Sequence, residues 1–223
     1  MTFLETSELF SLEHTIAGAL LSQFQYPWQA LAHIKEYILK IGPALDTREY
    51  HSPAPGVWIA NTAKIFPSAY IGGPCIIGPE AEVRHCAFIR GSAIVGAGAV
   101  VGNSTELKNV ILFDKVQVPH FNYVGDSILG YRAHMGAGAI TSNVKSDKTL
   151  VSVKGSFGTI ETGLKKFGAI LGDEVEVGCN SVLNPGTVIG RRSNVYPTSC
   201  VRGYIPEGYI FKAPGNIVKK EAK

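Results

Sequence analysis

Residues 57–113 read VWIANTAKIFPSAYIGGPCIIGPEAEVRHCAFIRGSAIVGAGAVVGNSTELKNVILF. Counting by six from Ile59 gives Ile65, Ile71, Ile77, Val83, Ile89, Val95, Val101, Leu107 and Phe113, without a miss. Two residues before each stands a mostly small one: Val57, Ala63, Ala69, Cys75, Ala81, Ala87, Ala93, Ala99, Thr105 and Ile111. The beat resumes at Leu171, Val177, Leu183, Ile189, Val195 and Val201, with Leu129 and Met135 as an island between. A strand repeats every two residues and a helix every 3.6, so a strict six with two inward positions requires short strands joined by regular turns. Three such strands make a triangular coil of about 18 residues, and coils stack at the ~4.8 Å spacing of paired strands. The pattern predicts a mainly β protein, a parallel β-helix spanning residues 51–216. Leu129-Gly130, Met135-Gly136, Leu171-Gly172 and Val177-Gly178 place Gly after the aliphatic residue, where a turn can demand unusual dihedrals.

The flanks differ. Pro27 and Gly42 bracket Trp28, Leu31, Ile34, Ile38 and Ile41 at helical spacing, the expected start and stop of a helix. A second helix is expected over Leu12–Leu21 with Ser11 as N-cap. Residues 1–50 therefore read as a helical segment that caps an open end of the coil or forms part of a linker, with His14 and His33 in structural roles. Residues 144–168 carry no beat and read as a loop or small hairpin projecting from the coil, and residues 217–223 as a tail. Val110, Leu112, Val116 and Val118 would lie exposed on a lone solenoid, which predicts burial against a neighbouring copy.

The 223 residues are 45% hydrophobic and 17% charged, with a net charge of +3. That composition suits an ordered protein, and the charge is too mild to indicate nucleic acid. The N-terminus has acidic residues where a leader has basic ones, and no apolar run approaches a membrane span, which reads as cytoplasmic with no membrane contact. Cysteines 75, 86, 179 and 200 lack CxxC spacing, so neither a metal site nor a disulfide framework is expected.

The beat fails in residues 119–143, PHFNYVGDSILGYRAHMGAGAITSN. Just upstream, Arg90 and Lys108 are 18 apart and should stack on adjacent coils. Two cations ~5 Å apart repel unless an anion lies between them, so the pair is either a phosphate site or a solvated pair with a carboxylate such as Glu106. His120 is, by its residue type, either a general base or a satisfied structural histidine.

The stretch H-x-x-Y-x-G-D-x-x-x-G, followed by GAGAITSN, resembles the acetyltransferase half of bifunctional N-acetylglucosamine-1-phosphate uridyltransferases. It is also similar to the hexapeptide-repeat domains of archaeal sugar-1-phosphate nucleotidylyltransferases, and the likeness covers roughly residues 57–213. The resemblance implies left-handed coiling, a homotrimer with sites between neighbouring coils, and transfer of acetyl from acetyl-CoA to an amino-sugar phosphate, glucosamine 1-phosphate first. It makes His120 the general base, Glu106 the residue that orients it, and the Ala137 amide the oxyanion donor. Arg90, Lys108, Tyr123 and Asn143 become substrate-binding residues. The chemistry is consistent, because a protonated amine is a poor nucleophile until a base near neutral pKa takes its proton.

Two positions depart from the family. Cys179 stands where the family has a Ser facing the thioester, and His134 where it has an Asn on the sugar. No Gly-rich nucleotide loop is present in residues 1–50, so pyrophosphorylase activity is not expected and a separate nucleotidyltransferase partner is conceivable. Lys148, Lys165 and Lys166 are candidate contacts for a phosphate or for the nucleotide end of coenzyme A. Two alternatives stay open: an acceptor that is a nucleotide-linked amino sugar, and a catalytically silent sugar-phosphate-binding scaffold.

Overall fold

The computed structural model describes residues 2–221 as a β-solenoid preceded in the chain by short helices. Its parallel strands stack in three columns, one for each face of a triangular coil. Small and aliphatic hexad residues fill the interior: Ala81, Val83, Ala87, Ile89, Ala93, Val95, Ala99 and Val101 are all buried.

The repeat is not uniform. Val57 pairs with Cys75 and Cys75 with Ala93, steps of 18, but Ala93 pairs with Val110 and Val110 with Ser127, steps of 17. One residue is lost in the corner at Lys108–Asn109, where Asn109 takes a positive φ of 55°. The strand Glu106–Leu112 then runs unbroken around that corner, as does Tyr123–Leu129 in the next coil. Beyond the slip, the residues that pair with inward Ala93, Val95 and Val101 are Val110, Leu112 and Val118. Phe113 leaves the interior series and packs at a corner on Phe10, with ring centroids 4.9 Å apart. Val110, Leu112, Val116 and Val118 are fully buried within one chain, which overturns the inference that they await a neighbouring copy.

One face carries an outward column that the inward count does not reveal. Trp58, Ile76, Ile94, Ile111, Ile128, Ile170, Val188 and Tyr204 stand in register one above another. Burying each such aliphatic side chain is worth about 1.5–3 kcal/mol, so the column needs a cover. The N-terminal segment supplies it by running lengthwise along this face instead of capping an end. The helix Ile34–Ile41 packs on Ala93–Val95 and Glu106–Leu112, and the 3-10 turns of Pro27–His33 pack on Tyr123–Leu129. Its clasps are polar: the Asp173 carboxylate accepts from the amides of Ser11 and Tyr131, both at 2.8 Å, and Asn109 Nδ2 donates to Leu31 O at 3.1 Å.

The second expected helix is broken into a 3-10 turn, Leu12–His14, and a single turn, Gly18–Leu21. Ser11 makes no side-chain cap; its amide goes to Asp173 instead. Residues 144–168 do contain a hairpin, Ser152–Gly155 with Gly158–Glu161, but it folds back onto Thr187–Ile189 and Tyr204–Ile205 and buries Val151 and Val153. The hairpin thus extends the cover of the same face. Antiparallel strands Tyr50–Ala54 and Asn216–Lys219 pair with the first and last coils, occupying edges that would otherwise be open.

The glycines following the aliphatic residues serve a different need from the one expected. Gly130, Gly136, Gly172 and Gly178 are not among the positive-φ residues, which fall two places later at Arg132, Gly138, Glu174 and Asn180. Their role is close approach: a Cβ on Gly178 would sit 2.4 Å from Pro197 N, and one on Gly136 would sit 2.7 Å from Cys179 N.

Candidate functional site

Of the other two faces, one carries a largely polar outward column (Glu82, Gln117, His134, Glu176, Asn194) and one is open. The open face presents Tyr70, Phe88, Glu106, Tyr123, Ile140 and Val182 in register. Tyr70 is 60% exposed and Phe88 41%. Both edges of this face carry chemistry.

At its leading edge, His120, Ala137 and Cys179 stack on consecutive coils. The register is carried by Gly138 N donating to His120 O at 3.0 Å and Asn180 N donating to Ala137 O at 2.8 Å. His120 and Cys179 are exposed, and Cys179 Sγ lies close over Gly136. The His120 ring has no hydrogen-bond partner among the described residues; its amide is held by Asn122 Oδ1 at 3.1 Å. Asn122 is itself buried and donates to the carbonyls of Gly136 and Ala139, tying the base-bearing corner to the next coil. The Ala137 amide makes no hydrogen bond among the described residues.

At the trailing edge, Arg90 and Lys108 occupy equivalent places on adjacent coils, and each has a carboxylate. Arg90 Nη1 donates to Glu106 Oε1 at 2.9 Å, and Lys108 Nζ donates to both Asp126 oxygens at 3.1 and 3.0 Å. Asp126 is the hub of this edge. It is 4% exposed and also accepts from Asn109 Nδ2 at 2.9 Å and Asn143 Nδ2 at 2.5 Å. Asn143 Nδ2 also reaches Tyr123 Oη at 3.3 Å. The bond to Glu106 raises the Arg90 pKa, and burial, reinforced by the charges of Asp126 and Glu106, raises that of the Tyr123 phenol. Arg90 with Glu106, and Lys108 with Asp126, Asn143 and Tyr123, thus form two neighbouring groups in which each cation is matched by a carboxylate.

With this geometry, residues 71–193 match the family described as the GMPPB C-terminal domain. The chain belongs to that family. It is 34% identical over 141 residues to the bifunctional protein GlmU of Methanococcus vannielii, covering 63% of this chain and 34% of that protein. It is 32% identical over 174 residues to a bifunctional sugar-1-phosphate nucleotidylyltransferase/acetyltransferase of Sulfurisphaera tokodaii, covering 70% and 43%. The aligned parts are thus a third to under a half of these relatives' lengths. Among solved structures, the acetyltransferase domain of PglB from Neisseria gonorrhoeae with acetyl coenzyme A aligns at 18% identity and a TM-score of 0.34, over 84% of this chain and 66% of that one.

His134 falls outside these groupings, and Glu106 lies within them but not at His120. His134 lies on the polar face, where its Nδ1 is 2.8 Å from Glu176 Oε2, away from the cation pair. Glu106 contacts Arg90, and no bond joins it to His120. Lys148, Lys165 and Lys166 are exposed. Asp126 and Asn109 were given no role by the sequence reading. Counting by 17 from Asn109 gives Asp126 and Asn143, the signal that would have found this hub.

Proposed function

We propose that this chain transfers an acetyl group from acetyl-CoA to the amine of an amino-sugar phosphate, with glucosamine 1-phosphate the first candidate. The observation that carries the reading is the open face itself, with a histidine column on one edge, a cation pair on the other, and Glu106 and Tyr123 between them. A sugar ring laid across the face would offer its phosphate to Arg90 and Lys108 and its amine to His120.

In this reading a phosphate competes with Glu106 for Arg90 and with Asp126 for Lys108, and phosphate suits these donors as well as carboxylate does. His120, free of other partners, takes the proton as the amine nitrogen attacks the thioester carbonyl. The Ala137 amide hydrogen meets the developing oxyanion. Collapse expels the thiolate, which receives the proton from His120. The small residues of GAGA allow the thioester to approach the backbone, and Cys179 faces it with a weaker donor than Ser. A homotrimer with a second copy over the open face would exclude water, and a cytoplasmic setting supplies acetyl-CoA.

The test is coenzyme A release across a panel of amino-sugar phosphates. His120→Ala should lower kcat by ~10²–10⁴, the usual worth of general-base catalysis. The deficit should narrow at high pH, where free amine needs no base. A variant that keeps full activity at neutral pH would refute the role of His120.

A further inference from the structure

The cations of the trailing edge continue beyond the site described. From Lys108 the same corner position passes through Gly125, Ser142 and Asn184 to Arg202, as the pairing of the adjoining strand residues shows. Four rungs at ~4.8 Å place Arg202 roughly 19 Å from Lys108, too far for one sugar phosphate to touch both. Beside Arg202 lies a cleft of about 270 Å³, lined by residues including Lys145, Asp147, Asn184 and Pro185. A smaller adjoining cavity shares Lys145, Pro185 and Arg202 and adds Lys154.

The backbone forces these cations together. The hairpin strand Ser152–Gly155 lies so close to the coil that a Cβ on Gly186 would stand 2.5 Å from Ser152 O, and one on Gly203 2.5 Å from Lys154 O. Both glycines have φ of +81°. Lys154 is therefore fixed alongside the corner that bears Arg202, and Lys145 enters from the loop before the hairpin. At Arg90 and Lys108 the like charges are each matched by a carboxylate. Here they are not. The recorded side-chain partner of Arg202 is the Asn184 amide oxygen at 3.3 Å, and Lys154 has none among the described residues. The one carboxylate lining the clefts is Asp147, 3.7 Å from Lys145, so three cations face one anion.

We propose that Lys145, Lys154 and Arg202 form a second anion site, which takes a diphosphate group of a nucleotide. The guanidinium supplies a planar fork for phosphate oxygens, and the two ammoniums supply point charges. The nucleotide can belong to the acyl donor or to a nucleotide-linked sugar; the diphosphate chemistry is common to both. The site stands on its own cations and does not depend on the acyl-transfer reading.

Inorganic pyrophosphate is the direct probe, titrated into the full chain by calorimetry at low and moderate salt. Lys108→Ala should keep a pyrophosphate site that weakens as salt rises, whatever further binding the Arg90 and Lys108 pair adds in the wild type. Lys154→Gln/Arg202→Gln should bind at least about tenfold more weakly, with melting of the ligand-free protein unchanged because both side chains are exposed. If this pair destabilises the fold, the single variant Arg202→Lys, which keeps the charge, should retain most of the binding. Absence of binding, binding indifferent to the double variant, or binding lost in Lys108→Ala would each overturn the site. Parallel titrations with adenosine 3′,5′-bisphosphate and with UDP then assign the source. Preference for the first names the acyl donor, preference for the second a nucleotide-linked sugar, and equal affinity a site that reads only phosphate.

Discussion

Replacing Asp126 by Asn tests the trailing edge most directly. Asn tolerates the positive φ of 47° at this position, so the change removes charge without adding backbone strain. It strands the Lys108 ammonium and sets a new NH₂ group against the amide donors of Asn109 and Asn143. Breaking a buried ion pair by removing one partner costs ~3–5 kcal/mol. The Lys108 side chain is 26% exposed and keeps some water, which brings the expectation down to about 2–3 kcal/mol. At ~2–4 °C per kcal/mol for chains of this size, melting should fall by roughly 4–12 °C. Urea unfolding followed by the two tryptophans, Trp28 and Trp58, reads the same loss where the N-terminal segment meets the coil. The decisive measurement is the cycle with Lys108→Met. The double variant no longer strands a charge, so it should be more stable than the two single losses summed, by about 1–3 kcal/mol. Additivity to within ~0.5 kcal/mol would refute the hub.

Burial raises the Asp114 carboxyl above its ordinary range, so its contribution to stability is present at low pH and is lost as pH rises through the raised value. Asp114→Asn keeps a carbonyl for the Ala97 amide, and the difference in urea midpoint between variant and wild type should move in the variant's favour from about pH 4 upward; a constant difference would remove the linkage. Gly178→Ala should cost ~1–3 kcal/mol by overpacking against Pro197, although its φ suits any residue; an unchanged urea midpoint would show that the corner has room. Light scattering should give three times the 23.9 kDa chain mass, since Tyr70, Phe88 and Phe121 otherwise remain 60%, 41% and 62% exposed; an active monomer would remove the neighbouring copy from the site.

The hexad beat alone determined the solenoid, because a period of six with a small and an aliphatic residue two apart has one cheap solution, three short strands to a coil. It also placed Arg90 and Lys108 side by side, since stacking distance follows from coil length. What it could not determine was where coil length changes. Losing one residue at Asn109 costs the interior nothing, because Val110 and Leu112 serve there as well as Ile111 and Phe113 would have. The slip nevertheless moves every later residue by one place, so that Asp126 stands in register with Asn109 and reaches Lys108 diagonally from the next coil. The outward column from Trp58 to Tyr204 is spelled out in the chain at intervals of mostly 17 or 18, but its cover is not. That the N-terminal segment runs along the face was decided by packing between residues more than a hundred apart, such as Ser11 with Asp173, and such pairings leave no period in a sequence. The candidate site divides in the same way. Residue types at the motif marked His120 and the cations, whereas the cancellation of charge at Arg90 and Lys108, and its absence at Lys154 and Arg202, arose only when the coils and the hairpin were folded together.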